Sequence, residues 1–257
     1  FVPNGSAVTV TRDVIKDVTC NKCHYDLTAH GSTGRPSMAV CVLCHTPQTV
    51  DPDTGESQDM VALTHRIHMG EELPSVQAGK PYVIIGNAQS VHDFSDVVMP
   101  SDVRRCTFCH EQNTGAKQAT AYLKPTRAAC GSCHDNVNFA TGANHADLIQ
   151  ISDNQCANCH QPDGEVEFDL SIRGAHTVPV ESRYLPGTVV ELKGIANTAP
   201  GQNPQITFTV KTKAGNPIPL AEMARLRFRI AGPNTDWASQ IQEDYAAART
   251  VWNIYRY

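Results

Sequence analysis

All ten cysteines of this 257-residue chain fall in pairs, and each pair is followed at once by a histidine. The pairs are Cys20/Cys23, Cys41/Cys44, Cys106/Cys109, Cys130/Cys133 and Cys156/Cys159, with His24, His45, His110, His134 and His160 behind them. Two thiols three positions apart sit on one helical turn, where each can form a thioether with a haem vinyl group. The next residue then sets an imidazole beneath the porphyrin to bind iron. The expected cofactors are five covalently bound haem c groups. Zinc fits poorly, because a closed tetrahedral site takes four ligands and five pairs leave one over. Zinc also gives no reason for a histidine at the same offset every time. A thioredoxin-like redox motif uses one such pair beside a βαβ pattern. Structural disulfides do not favour so short a spacing repeatedly.

Six histidines lie outside the motifs: His30, His65, His68, His92, His145 and His176. Five irons need five distal ligands, so imidazole on both faces of every haem is arithmetically open, with one histidine to spare. Methionine competes for the same position and raises the potential; Met38, Met60, Met69, Met99 and Met223 are the candidates. His65 and His68, in Thr64-His-Arg-Ile-His-Met-Gly70, are three apart. On a helix they share one face and would serve two closely packed haems. His30 lies six residues past His24, a connection that would send it to a neighbouring haem. His145 closes Thr141-Gly-Ala-Asn-His, and His176 follows the last motif in Gly174-Ala-His. The expected distal set is His30, His65, His68, His145 and His176, with His92 set aside. An iron held on both faces has no open position, so such haems pass electrons rather than turn over substrate.

These residues need elements to hold them. The region 19–185 contains every motif and every histidine and reads as a pentahaem domain of short helices and loops packed on haem. Its motif spacing is uneven, with a long gap from 46 to 105 that is rich in turn signals and carries the His65/His68 pair. No unit repeats at fixed length, so a solenoid is excluded. Aromatic residues are only 6% of the chain, which fits a core whose flat apolar volume comes from haem. After residue 186 the pattern changes to a partial β domain, 186–257, of small antiparallel Greek-key or split-barrel-like character. Residues 189–195 read as a strand. In Gln205-Ile-Thr-Phe-Thr-Val-Lys211 the apolar residues alternate, as in a half-buried strand. Leu226, Phe228 and Ile230 alternate with Arg225, Arg227 and Arg229, most simply a solvated basic face. Residues 237–249, with Ala246-Ala-Ala248 inside, read as a C-terminal helix, and Ala7-Val-Thr-Val-Thr11 in the segment 1–18 reads as a strand. Three strands make a thin sheet, which the N-terminal strand or another copy of the chain would complete, so self-association is a further expectation.

The net charge of −5 argues against a nucleic-acid partner, which demands a basic face. No stretch reaches the roughly 18 apolar residues of a membrane-spanning helix, and no leader is visible at Phe1-Val-Pro-Asn-Gly5. Covalent haem attachment takes place outside the cytoplasm, so the expected chain is exported.

The chain resembles the outer-membrane decahaem cytochromes of the OmcA/MtrC type. The matching phrases are Cys20-Asn-Lys-Cys-His-Tyr-Asp-Leu-Thr-Ala-His-Gly31, Cys41-Val-Leu-Cys-His-Thr-Pro47 and His65-Arg-Ile-His-Met-Gly70. To these are added His92-Asp-Phe-Ser95, Cys130-Gly-Ser-Cys-His-Asp135 and Arg229-Ile-Ala-Gly-Pro-Asn-Thr-Asp236, in the family's order. The resemblance implies alternating β-barrel and pentahaem domains, bis-histidine ligation, and a wire carrying respiratory electrons to extracellular acceptors. Metal oxides, chelates and flavins would be such acceptors. It also implies the outer-membrane surface, or the extracellular space, as location (the periplasm being the alternative), with other multihaem cytochromes or a porin–cytochrome complex as partners. The family carries ten haems in two pentahaem domains, whereas this chain has motifs for five. The alternative function is a multihaem reductase of a small oxyanion, which needs one iron with an open distal site. No motif here replaces its histidine with lysine, as some such reductases do. An electron carrier, rather than an enzyme with dedicated catalytic residues, is the expectation.

Overall fold

The computed structural model describes residue 5 and residues 12–24, 26–30, 34, 37–199, 201–223, 226–231 and 240–245. Contacts divide the chain into two compact units, Phe1–Lys22 with Leu27–His176, and Cys23–Asp26 with Thr177–Tyr257.

In the first unit most helices are single turns. α1 (Asp17–Cys20), α2 (Met38–Cys41), α5 (Cys106–Cys109), α6 (Arg127–Cys133) and α7 (Cys156–Cys159) each end on a motif cysteine. α3 (Met60–Met69) is the long one, followed by α4 (Pro74–Gln77), and α8 (Ile172–Ala175) comes last. Several start on a side-chain cap. Ser37 accepts from the Ala39 amide, Asp59 from Val61, Thr126 from Ala129 and Ser171 from Gly174, each satisfying an amide that the first turn leaves open. α3 stops at Gly70, whose φ of +42° and close approach to the Val97 carbonyl leave no room for a Cβ.

The apolar core of this unit sits in the motif-free gap. Leu73, Tyr82 and Ile84 are buried, with Leu63, Ile67, Met69, Val76 and Phe94 packed around them. Tyr82 and Ile84 come from the start of a small hairpin, β1 (Val83–Ile85) against β2 (Val91–Asp93), antiparallel. Its turn uses Ala88 and Gln89 at φ +54° and +59°, the conformation that suits the strand twist. Burying each large side chain there contributes roughly 1.5–3 kcal/mol. The result is a small platform on which α3 is seated, and α3 in turn packs against α6.

The second unit holds two antiparallel ladders. β3 (Val189–Ala196) pairs with β4 (Gln205–Lys211) through a bulge between Leu192 and Gly194. β5 (Leu226–Ala231) pairs with β6 (Gln240–Tyr245). Val210 and Leu226 are buried, and the Phe208 and Phe228 rings lie 4.9 Å apart. The three strands expected from alternation are β3, β4 and β5. The expected C-terminal helix is corrected: Gln240–Tyr245 is a strand, with Ile241 opposite Ile230 and Tyr245 opposite Leu226. Pairing with β5 overrides the helical propensity of the neighbouring alanines. Residues 246–249 of that expected helix, and the expected strand Ala7–Thr11, lie outside the described residues.

Candidate functional site

In four motifs the backbone closes one turn around the pair of thiols. The amides of His45, His110, His134 and His160 donate to the carbonyls of Cys41, Cys106, Cys130 and Cys156, at 3.0, 2.9, 2.8 and 2.9 Å. The turn puts both sulfurs and the imidazole on one side of the helix, as thioether attachment requires. None of the ten cysteines is paired in a disulfide. Burial, reinforced by the neighbouring Cys106 and Cys130, pushes the Cys133 thiol up to about 11, and burial together with Cys109 and Asp17 does the same for Cys20.

Each of four motif histidines faces a histidine from outside the motifs. The ring centres are 6.0 Å apart for His45/His30 and 6.2 Å apart for His110/His65, His134/His176 and His160/His145. The planes of these four pairs are inclined at 29°, 17°, 63° and 35° respectively. An iron with bonds of about 2 Å to nitrogen on either side, and about 1.1 Å from that nitrogen to the ring centre, needs a spacing of about 6.2 Å. Aromatic rings also pack at such distances. The composition also fits an iron between the rings: each of these four pairs joins one motif and one non-motif imidazole.

The imidazoles are also oriented for it. The Nδ1 of His45, His65, His68, His145, His160 and His176 lies 2.7 to 3.1 Å from a main-chain carbonyl, those of Gln58, Val61, Thr64, Leu148, Leu170 and Ile172. A carbonyl oxygen only accepts, so Nδ1 carries the proton and Nε2 keeps its lone pair for the metal. Burial holds His65 and His134 below the usual imidazole range and, helped by His65, takes His110 to about 4, so these rings are neutral at physiological pH, each with one unprotonated nitrogen.

The flanks fit a flat apolar disc. Leu43 (73%), Leu148 (59%), Ile151 (76%) and Leu170 (71%) stand exposed beside the motifs or their partner histidines, where soluble proteins seldom cluster large apolar side chains. Haem faces laid against them would remove that surface from water. Haem c therefore fits these residues by donor set, by spacing and by apolar cradle.

The thiols also report which motifs are neighbours. Cys20 is influenced by Cys109 and Cys41, Cys133 by Cys106, and Cys130 by Cys156. Numbered along the chain, motif 1 thus has thiols near those of motifs 2 and 3, motif 3 near those of motif 4, and motif 4 near those of motif 5.

Of the other candidates, His92 sits on exposed β2 with its Nε2 2.9 Å from Ser90 Oγ and its ring stacked on Phe94. Met69 packs against the Leu73 core. Met38 opens α2 and Met60 opens α3. Sequence reasoning missed Arg66, between the two histidines of α3. Its guanidinium lies 3.4 Å from Glu56, 3.3 Å from Asp135 and 4.5 Å over the Tyr82 ring. Asp135 follows His134 and accepts from Ser75 N and Oγ at 3.0 and 2.5 Å. This cluster ties α3, which carries His65 and His68, to the Cys130–His134 motif. The only signal for it in the sequence was that both residues adjoin histidines.

Comparison with known proteins adds to this geometry. Residues 12–171 match the family model "Outer membrane cytochrome MtrC/MtrF-like, domains II/IV". The chain is 27% identical, over 223 residues, to the multiheme cytochrome MtrC of Shewanella baltica (strain OS185), covering 84% of this chain and 28% of that protein. Its fold is similar to the crystal structure of the outer membrane decaheme cytochrome OmcA, with a TM-score of 0.56 at 23% identity, over 86% of this chain and 32% of that one. The chain thus spans less than a third of the length of these relatives.

Proposed function

The chain belongs to the MtrC/MtrF-like outer membrane cytochromes, and from that premise we propose that it is a five-haem electron-transfer segment with imidazole on both faces of every iron. Cys20, Cys23, Cys41, Cys44, Cys106, Cys109, Cys130, Cys133, Cys156 and Cys159 carry the haems, within a domain of residues 19–185. His24, His45, His110, His134 and His160 are the proximal ligands. His30 serves the His45 haem, His65 the His110 haem, His176 the His134 haem and His145 the His160 haem; for His24 and His68 the reading rests on the count of candidates. The observation that carries the proposal is the set of four mixed imidazole pairs at 6.0 to 6.2 Å.

When bound, the haems supply one-electron carriers whose affinities this chain sets by burial, by hydrogen bonds to the ligands and by charge. Electrons would pass between haems held by neighbouring motifs. The protein works at the outer-membrane surface, handing respiratory electrons to other multihaem cytochromes or a porin–cytochrome complex and onward to metal oxides, chelates or flavins. Delivery from an exposed haem edge needs no catalytic side chain. The oxyanion-reductase alternative needs one iron whose distal imidazole is missing.

Low-temperature EPR of the oxidised protein, quantified per haem, separates the two. Five low-spin haems are expected. The pair His134/His176, at 63°, leaves the iron's two π orbitals nearly degenerate and should give the most anisotropic signal; His65/His110, at 17°, should give an ordinary rhombic one. A high-spin haem in the resting protein would favour the reductase. Intact mass gives the number of haems attached.

A further inference from the structure

The five candidate distal histidines are not held alike. His65 and His68 stand on the ten-residue α3, each with Nδ1 bound to the carbonyl one turn back, over the Leu73–Tyr82–Ile84 core. His176 caps α8 in the same manner, bonded to Ile172. His30 is exposed and itself left-handed, at φ +68°. His145 stands on a loop in which three neighbouring residues have left-handed backbone: Asn144 at φ +58°, Ala146 at +49° and Asp147 at +59°. A Cβ clashes with the following carbonyl in that region, so Ala146 in particular is strained. Gly142, at φ +82°, completes the bend because a Cβ there would meet the Asp147 carbonyl carbon at 2.6 Å.

Most of the loop's described hydrogen bonds run within it, with Val137 N donating to His134 O and the Gln150 side chain to Ser152 O at its two ends. Asn138 N donates to Ala143 O, Gly142 N to Asn138 O, Gln150 N to Phe139 O and the Asn144 side chain to Asn136 O, all between residues 136 and 150. His145 Nδ1 is bonded to Leu148 O on the same loop, and Phe139 supports the ring edge-on at 5.4 Å. Asn144, Ala146, Asp147, Leu148 and Ile149 are exposed. A swing of this loop therefore carries the imidazole, its hydrogen-bond partner and its neighbours away together, without breaking a bond to a core element.

We propose that His145 is a detachable ligand: it leaves the ferrous iron of the Cys156–Cys159 haem and so opens a binding site for a small neutral diatomic of the carbon monoxide or nitric oxide class. This rests on the bis-histidine reading above. In the exchange the bond from iron to His145 Nε2 breaks, the lone pair returns to a neutral imidazole, and the carbon of carbon monoxide donates its own pair to the vacated position. Iron stays ferrous and no electron or proton is transferred. Relief of the strain at Ala146 and its neighbours favours release, and the hydrogen bond to Leu148 keeps the freed ring in its tautomer for return.

The test uses the complete haem-loaded protein, reduced with dithionite and titrated with carbon monoxide while the Soret and α bands are recorded. One haem equivalent per chain should lose its low-spin α band and form a photolysable adduct. Ala146→Gly, which removes the strain without touching the ligand, should weaken the adduct about five-fold. His145→Ala should tighten it while the stoichiometry stays at one. No adduct in the wild-type protein, or an unchanged affinity in Ala146→Gly, overturns the proposal. So does a stoichiometry of two in His145→Ala, which places the original site at another haem. EPR of the resting oxidised protein separates this from the underlying reading: five low-spin haems with no carbon monoxide adduct sink the detachable ligand alone, whereas a high-spin haem at rest sinks bis-histidine ligation itself.

Discussion

Residues 46–105 and residues 106–176 lie in one compact unit, yet they are ordered by different means. The first stretch has no motif and makes its own core, with Leu73, Tyr82 and Ile84 buried under α3, and Asp51 (to the Ile85 amide) and Arg66 (to Glu56) tying its loops down. The second has three motifs, and its α-helices are those of the motifs, α5, α6 and α7, together with α8. Its large apolar side chains, Leu148, Ile149, Ile151, Phe168 and Leu170 among them, stand exposed. A protein-made platform thus adjoins a segment whose apolar surface is shaped for cofactor. The contrast teaches that the long gap between motifs 2 and 3 is no spacer: it builds the rigid part that holds two imidazoles still.

The largest effect should come from removing a cofactor attachment in the second stretch. With Cys156 and Cys159 both replaced by serine, hydrogen exchange should show residues 136–176 losing protection while α3 and the β1–β2 hairpin keep theirs. Equal loss in both would mean that the platform is not independent. Next, Leu73→Ala should cost about 2–5 kcal/mol in thermal or denaturant unfolding, because it empties a fully buried position, with the number of attached haems unchanged.

A smaller effect is expected at Asp51, which is buried and accepts from Ile85 N at 2.7 Å, Thr54 Oγ1 at 2.8 Å and Asp53 N at 2.9 Å. These donors, the Ile85 amide foremost, hold its carboxyl below the ordinary value of 3.8. A depressed carboxyl stabilises the fold above that value, and the contribution disappears as the pH falls through the lower folded value. Asp51→Asn should therefore melt earlier than the native protein near neutrality, and the two melting curves should converge below about pH 4. In the second stretch, Arg127 and Asp153 form an exposed pair at 2.9 Å that joins α6 to the turn before α7. A double-mutant cycle there should yield at most about 1 kcal/mol, falling with salt. A larger coupling would show that this stretch also has a protein scaffold of its own.

Part of this could be read directly from the residues. The ten cysteines and their following histidines state their chemistry locally, because attachment needs only one helical turn. The placing of His65 and His68 on a single helix follows from their spacing of three, and β4 from strict alternation. The histidine pairings were beyond reach: His65 meets His110 and His134 meets His176 across more than forty positions, and only tertiary packing brings them together. The link from Arg66 to Asp135 is hidden for the same reason. β6 was misread because a strand that owes its state to a partner carries a weak signal of its own, next to an alanine run that reads as helix.

The bonds from imidazole Nδ1 to main-chain carbonyls have a consequence for inheritance. A side-chain partner can be deleted by one substitution; a carbonyl oxygen is present whatever residue occupies the position. His45, His65, His68, His145, His160 and His176 all take their orientation from groups of that kind. Residues 58, 61, 64, 148, 170 and 172 can therefore drift in identity, within what packing allows, while the ligand tautomers stay fixed. The electronic character of the centre is written into the course of the backbone, where point mutation seldom reaches it.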